Sequence, residues 1–387
     1  MSALPIPFDT AHLDRLLDEA GIDVLVATSK HNVQYLLGGY KFFFFEAMDA
    51  IGVSRYLPAV VYQRGKPENT GYVGNTMETY ERDNGRLWPQ NLMLSSFTTY
   101  DSIERVVEHV KKLGPGVRRI GVESAFIPAD ADAILRRSLT NCDVVDALVS
   151  LERLRAVKTQ KEIEQLTIAS EKVVESMLAT WKACKPGMTK FEVAERLRVE
   201  EVKRGLAFDY CLLTAGTSLN RAPSEQKLAA GDIMSLDSGG NYHGYIGDLC
   251  RMGILGEPDA ELQVLLAKVE EVQVAARKPV KAGAIGGTIV EAAEKAIKAS
   301  SHSKYTHFMA HGMGLVSHEA PRLMNFGPVP YPGFDAKLPL AAGMILSIET
   351  TIAHPKRGFI KLEDTVLVTD KGGEGLGDTA RGWNRAG

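Results

Sequence analysis

The chain has 387 residues, 45 % apolar and 24 % charged, an ordinary globular composition long enough for two domains. A net charge of −3, from 45 basic and 48 acidic residues without a basic stripe, excludes nucleic acid as the expected partner. No apolar run reaches membrane-spanning length, and Met1 to Asp9 lacks the pattern of a signal peptide, so a cytoplasmic protein without membrane contact is expected.

In chain order, Ala11 to Ala20 reads as an amphipathic helix with Leu13, Leu16 and Leu17 on one face, and Ile22 to Ala27 as a buried strand. The same grammar recurs in Ser102 to Leu113 (helix), Arg119 to Glu123 (strand), Ala129 to Leu139 (helix) and Asp143 to Asp146 (strand). This is an α/β domain of about 150 residues. Phe42-Phe43-Phe44-Phe45 reads as a strand buried on both faces, the alternative being an aromatic wall for a substrate or a partner subunit.

A seam falls near Leu151 to Lys158. Thr159 with Glu162 and Thr189 with Glu192 have capping-box spacing, so each opens a helix. Ile163, Leu166, Val173, Met177 and Trp181 carry the period of the first, and the second ends before Gly205. Lys185 to Thr189 before one helix, and Lys281 to Ala284 before another, hint at an internal duplication. Cys142, Cys184, Cys211 and Cys250 have no CxxC spacing and read as free thiols, Cys250 being a poorer ligand candidate than its acidic neighbours.

The chemistry lies in the second part. Gly231 to Gly240 and Tyr245 to Met252 form a strand pair that brings Asp237 near Asp248. Asp248 shares a face with Ile246, Cys250 and Met252, where a carboxylate needs compensation. A metal, a solvated hairpin edge or Arg251 could each supply it. Met344 to Ile352 and Phe359 to Val368 form another pair, carrying Glu349 and the adjacent Glu363 and Asp364. Alternation favours Asp364 as the buried one. Between the pairs lies His311-Gly312-Met313-Gly314-Leu315-Val316-Ser317-His318-Glu319, whose glycines read as room for the backbone to approach whatever His311 binds. Four carboxylates and one imidazole form a hard, oxygen-rich set of formal charge −4, which two divalent ions balance. Manganese or iron suits it better than structural zinc. Two such ions about 3.5–4 Å apart would activate a shared water and polarise a carbonyl.

These residues resemble the pita-bread metallopeptidase family, which includes methionine aminopeptidase, aminopeptidase P, prolidase and creatinase. The motifs are Leu236-Asp237-Ser238-Gly239, Tyr245-Ile246-Gly247-Asp248, His311-Gly312-Met313-Gly314, Ser347-Ile348-Glu349 and Leu362-Glu363-Asp364. The family order of ligands falls on Asp237, Asp248, His311, Glu349 and Glu363, and so selects Glu363 over Asp364. Tyr35-Leu36-Leu37-Gly38-Gly39, and Leu154 to Lys158 with Glu162, resemble the N-terminal domain and the linker of the two-domain members.

The resemblance implies an α/β (α+β) fold: a creatinase-like domain over 1–153 and a catalytic pita-bread domain with internal pseudo-twofold symmetry over 154–387. It implies a homodimer in which the partner's N-terminal domain can border the site. Glu349 would be ligand and proton shuttle, and Glu363 a bridging ligand. His318 would leave the metal alone and hydrogen-bond the substrate carbonyl, and Glu319 would be structural. Three positions depart from the family. Ser224 stands after Pro223 where a histidine is expected, Lys361 replaces an arginine, and Thr350 a proline. With His318, Lys361 and Ser224 form the expected substrate-binding set. The function implied is a dinuclear Xaa-Pro peptidase, dipeptidase or aminopeptidase, using manganese first, with iron, cobalt or zinc as other candidates. The alternative is a small non-peptide substrate, handled by an enzyme like the ectoine hydrolases or dimethylsulfoniopropionate lyases.

Overall fold

Helix α1 (Thr10–Glu19) starts where the Asp9 carboxylate accepts the His12 amide, and it buries Leu13, Leu16 and Leu17. It lies in the first of two units, Met1–Leu154 and Arg155–Gly387, of the computed structural model. Residues 4–50, 52–325 and 332–387 are described.

The first unit holds β1 (Val24–Ala27), β2 (Ala59–Gln63), β3 (Lys66–Gly74), β4 (Asn91–Leu94), β5 (Arg119–Val122) and β6 (Asp143–Asp146), in the order β4-β3-β2-β1-β5-β6. β1, β5 and β6 are parallel, so helices must connect them. With α2 (Lys30–Leu36) and α3 (Thr79–Asp83), these include α4 (Thr99–Lys112) and α5 (Ala129–Ser138). Val24 and Val26 pack with Ile103 and Val106 of α4, whereas Leu25 and Ala27 pack with Leu13 and Leu17 of α1. Burial on both faces explains the unbroken apolar run. Helix α4 begins earlier than its apolar period, because Thr98 and Asp101 close a capping box ahead of it.

Phe42 to Phe45 do not form the expected strand. Phe43–Phe45 is a 3-10 turn, in which residues three apart eclipse. Phe42 and Phe45 therefore both enter the core, while Phe43 is 58 % exposed.

Helix α6 (Leu148–Ala156) crosses the boundary between the units. In the second unit, α7 (Gln160–Trp181) and α8 (Lys190–Lys203) both carry the expected capping boxes. Strands β7 (Ala207–Ala215), β8 (Ile233–Tyr242) and β9 (Tyr245–Ile254) follow. Then α9 (Ala260–Arg277) and α10 (Thr288–Ala299) precede β10 (Thr306–Gly312), β11 (Ile345–His354) and β12 (Gly358–Val368). Short strands β13 (Gly373–Leu376) and β14 (Asn384–Arg385) close the chain. The main order is β10-β11-β12-β9-β8-β7. Each half reads helix, helix, three strands, and the second half's strand order mirrors the first. The pseudo-twofold axis thus falls between β9 and β12, which pair antiparallel. The β8–β9 turn needs positive φ at His243 (52°) and Gly244 (99°), as a two-residue hairpin of this hand does. Leu236 and Leu249 pack against Val173 and Met177 of α7, and Ile348 against Val272 and Ala276 of α9. The neighbouring residues Asp237, Asp248 and Glu349 therefore point to the other face.

Candidate metal centre

One register row crosses six strands: Met309, Glu349, Glu363, Cys250, Asp237 and Leu212 are successive Cα partners. Directly paired residues project to the same face, so three acidic side chains meet there. Two residues along, His311 pairs with Ser347, Ser347 with Thr365, and Asp248 with Gly239. Possible ligand atoms of Asp237, Asp248 and Glu363 lie within 4.8 Å of one another, as do those of His311, Glu349 and Glu363. The expected ligands come from β8, β9, β10, β11 and β12, drawing on both halves of the pseudo-symmetric sheet.

His311 is the last residue but one of β10 and is 1 % exposed. Its Nδ1 donates to the Gly312 carbonyl, 3.1 Å away, which leaves Nε2 with a lone pair. That Nε2 makes no hydrogen bond, and it lies 3.8 Å from Oε1 of Glu349 and 4.0 Å from Oε1 of Glu363. A buried acceptor facing two carboxylate oxygens is suited to a divalent cation. Asp248 and His311 also come within 4.8 Å of His318, whose ring stacks on His311 at 3.8 Å between centroids and 13° between planes.

The fold of this stretch itself requires Gly312 and Gly314. A Cβ on Gly312 would lie 2.2 Å from the Ala320 carbonyl carbon, and one on Gly314 2.5 Å from Oε1 of Glu319. Without side chains there, the chain doubles back: the Gly312 amide donates to Pro321 and the Glu319 amide to Gly312. The reversal brings His318 over His311. Glu319, 1 % exposed, is held by Nη2 of Arg155 at 2.9 Å and by Nζ of Lys158 at 3.1 Å. The two cations of the linker motif thus clamp the turn. Removing one partner of such a buried pair costs about 3–5 kcal/mol.

Lys361 lies two residues before Glu363 on β12 and is 3 % exposed. Its Nζ is 2.7 Å from Oδ2 of Asp237, 2.7 Å from Oε2 of Glu363 and 2.5 Å from Oε2 of Glu349. Burial opposes the ammonium, but Asp237, Glu349 and Glu363 outweigh it and hold its pKa well above the usual value. Arg221 also bonds Oδ2 of Asp237. Asp248 forms no direct ion pair among the described residues, though Lys361 acts on it from a greater distance. Burial, then Glu363 and Asp237, push its carboxyl well above the usual range, partly offset by the Tyr210 hydroxyl bonded to Oδ1. Tyr210 reaches Asp248 because Gly239 leaves it space: a Cβ there would lie 2.2 Å from the Tyr210 ring. Burial, reinforced by His311, Lys361 and Arg322, pushes His318 down to about 3, so its imidazole is neutral near neutral pH.

A cavity of about 280 Å³ is lined by Tyr210, Arg221, Asp237, Asp248, His318, Glu349, Lys361 and Glu363, among others. A second, of about 540 Å³, shares Arg221, Met309 and Glu349 with it and adds Val290, Ile297, Phe308 and Phe359. Ser224 lines neither. It lies in the β7–β8 connection, where its hydroxyl accepts the Gln226 amide at 3.4 Å. Asp364 is as buried as Glu363 but on the opposite face, with Arg251 at 3.1 Å, Arg381, and Nε2 of Gln273 at 2.8 Å. Arg251 thus compensates Asp364, not Asp248. Thr350 also faces α9, through Gln273. Sequence reasoning missed Arg221 and Tyr210. Gly239, inside a strand, was the one visible sign that something crosses there.

The family model of metallopeptidase family M24 matches residues 163–370, and that of the creatinase/prolidase N-terminal domain matches residues 10–157. An Xaa-Pro dipeptidase of Pyrococcus furiosus is 25 % identical over 382 residues, covering 95 % of this chain and 97 % of its own. The structure of an Xaa-Pro dipeptidase from Bacillus anthracis superposes with a TM-score of 0.81 at 22 % identity, over 97 % of this chain and 98 % of that one. An X-Pro aminopeptidase from Thermotoga maritima gives 0.76 at 21 %, over 98 % and 99 %. With a sheet mirrored about β9 and β12, and carboxylates from both halves beside His311, the chain belongs to metallopeptidase family M24 and is a metal-dependent hydrolase of the peptidase type.

Proposed function

We propose that this chain is a divalent-metal-dependent Xaa-Pro peptidase, a dipeptidase or aminopeptidase, that hydrolyses the amide bond before proline. The observation that carries the proposal is the bare, buried Nε2 of His311 facing Oε1 of Glu349 and Glu363, with His318 beside it at the cavity wall. Its likeness over nearly the whole chain to a protein named Xaa-Pro dipeptidase supports the substrate class. Catalysis is assigned to residues 154–387, and residues 1–153 to the accessory domain of a cytoplasmic homodimer.

Asp237, Asp248, His311, Glu349 and Glu363 are the residues for metal, and manganese suits their oxygen-rich chemistry. When bound, a divalent ion would lower the pKa of water and polarise the scissile carbonyl. Glu349, its side chain 14 % exposed at the cavity, takes the proton of the attacking water and passes it to the leaving nitrogen. Neutral His318 donates a ring N–H to the carbonyl oxygen as it gains charge. The largely apolar second cavity, with Phe308, Phe359 and Ile297, gives an apolar substrate residue a place. The sequence implies two ions sharing one water, a count on which the position of Lys361 bears directly.

The test is hydrolysis of Gly-Pro and longer Xaa-Pro peptides by protein stripped of metal and reloaded with Mn2+. Activity that needs the ion and the proline is expected. A metal-loaded protein that cleaves neither would displace this reading in favour of a small non-peptide substrate.

A further inference from the structure

We infer that Lys361 is a built-in cation of this centre, and that the site takes one divalent ion where the sequence implies two. The inference rests on the metal-site reading and not on the substrate.

Lysine carries a compact, point-like charge with three donors, whereas arginine spreads its charge over a planar fork. Here the ammonium lies 2.5–2.7 Å from one oxygen of each of three carboxylates, Asp237, Glu349 and Glu363, in a position 3 % exposed. Its contact with Oε2 of Glu363 falls outside hydrogen-bond geometry and is ionic. The oxygens divide cleanly. Lys361 takes Oε2 of both glutamates, while their Oε1 atoms face Nε2 of His311 at 3.8 and 4.0 Å. One face of the carboxylate ring is closed by a side-chain cation. The other ends in an imidazole lone pair without a hydrogen bond.

Asp237 is committed further, because Arg221 and Lys361 converge on the same Oδ2. Four carboxylates carry −4, and Lys361 with Arg221 returns +2. The remaining −2 matches a single divalent ion. Asp248, whose carboxylate accepts from the Tyr210 hydroxyl and forms no direct ion pair among the described residues, joins His311, Glu349 and Glu363 in holding that ion. A second ion among Asp237, Asp248 and Glu363 would compete with an ammonium already at two of those three residues.

The experiment counts metal. Protein stripped, reloaded with excess Mn2+ and dialysed is analysed for manganese per protomer, and its electron paramagnetic resonance spectrum is recorded. Wild type is expected to hold one ion, with the hyperfine pattern of an isolated Mn2+. Lys361→Met is expected to hold two and show an exchange-coupled pair. Two ions or a coupled pair in wild type overturns the inference, as does a folded Lys361→Met protein that still holds one. If that variant does not fold, the wild-type count and spectrum decide. A protein that holds one ion and ignores Xaa-Pro substrates overturns the peptidase reading and leaves this one standing.

Discussion

His318 shows what a neighbour does to a single residue. Burial comes first, then His311, Lys361 and Arg322, and together they keep its imidazole neutral. A neutral ring can still donate one hydrogen bond to a developing oxyanion. His318→Ala is therefore expected to lower kcat about 10²–10³-fold while bound manganese is retained. Because His318 also lies within ligand reach of Asp248 and His311, loss of the ion in this variant would make it a ligand instead. At this scale the sequence was readable only in part. Glu363 and Asp364 cannot be ranked by alternation, because both faces of β12 are buried and both carry a paired carboxylate. The cations that separate their roles, Lys361 on one face and Arg251 and Arg381 on the other, are placed by tertiary structure.

At the scale of elements, the turn after β10 depends on Gly312. A methyl there would meet the backbone of Ala320 at 2.2 Å, and backbone cannot swing aside as a side chain can. Gly312→Ala should destabilise the protein by roughly 1–3 kcal/mol and pull His318 away from His311. Gly382→Ala, where a Cβ meets nothing within 4 Å, is the control, and urea unfolding compares the two. Equal midpoints would mean that the turn tolerates a side chain. Capping boxes and apolar periods made α7 and α8 readable, because those signals are local. The aromatic run at Phe42 was misread because four large apolar residues suit a buried strand as well as a 3-10 turn.

For the whole molecule, stability should carry the mark of one buried acid. Glu201 of α8 is fully buried; among the described residues its carboxylate accepts only from Ser238, at 2.7 Å, and its Oε2 has no hydrogen-bond partner. Burial raises its pKa from the ordinary glutamate value of 4.5 to about 7; Ser238 lowers it, and Asp209 adds to the rise. The folded state thus keeps a proton that the unfolded state releases, so stability falls as pH climbs from about 4.5 to 7. The window corresponds to about 3 kcal/mol. Relative to wild type, Glu201→Gln should gain up to that amount between pH 5 and pH 8. A constant difference across the range, measured by thermal unfolding, would count against it. The mirrored sheet was only hinted at by two glycine turns before helices, since strand order is a long-range property that spacing does not encode.

The register row has one more consequence. A one-residue slip in any strand turns every side chain of that strand to the opposite face. Asp237 and Glu363, read out across Cys250, come from the two halves of the second unit, so neither half holds the complete ligand set alone. With the proposed ligand set, a chain with mispaired strands would have no complete site to fill, so ion uptake would report that the sheet has closed in register.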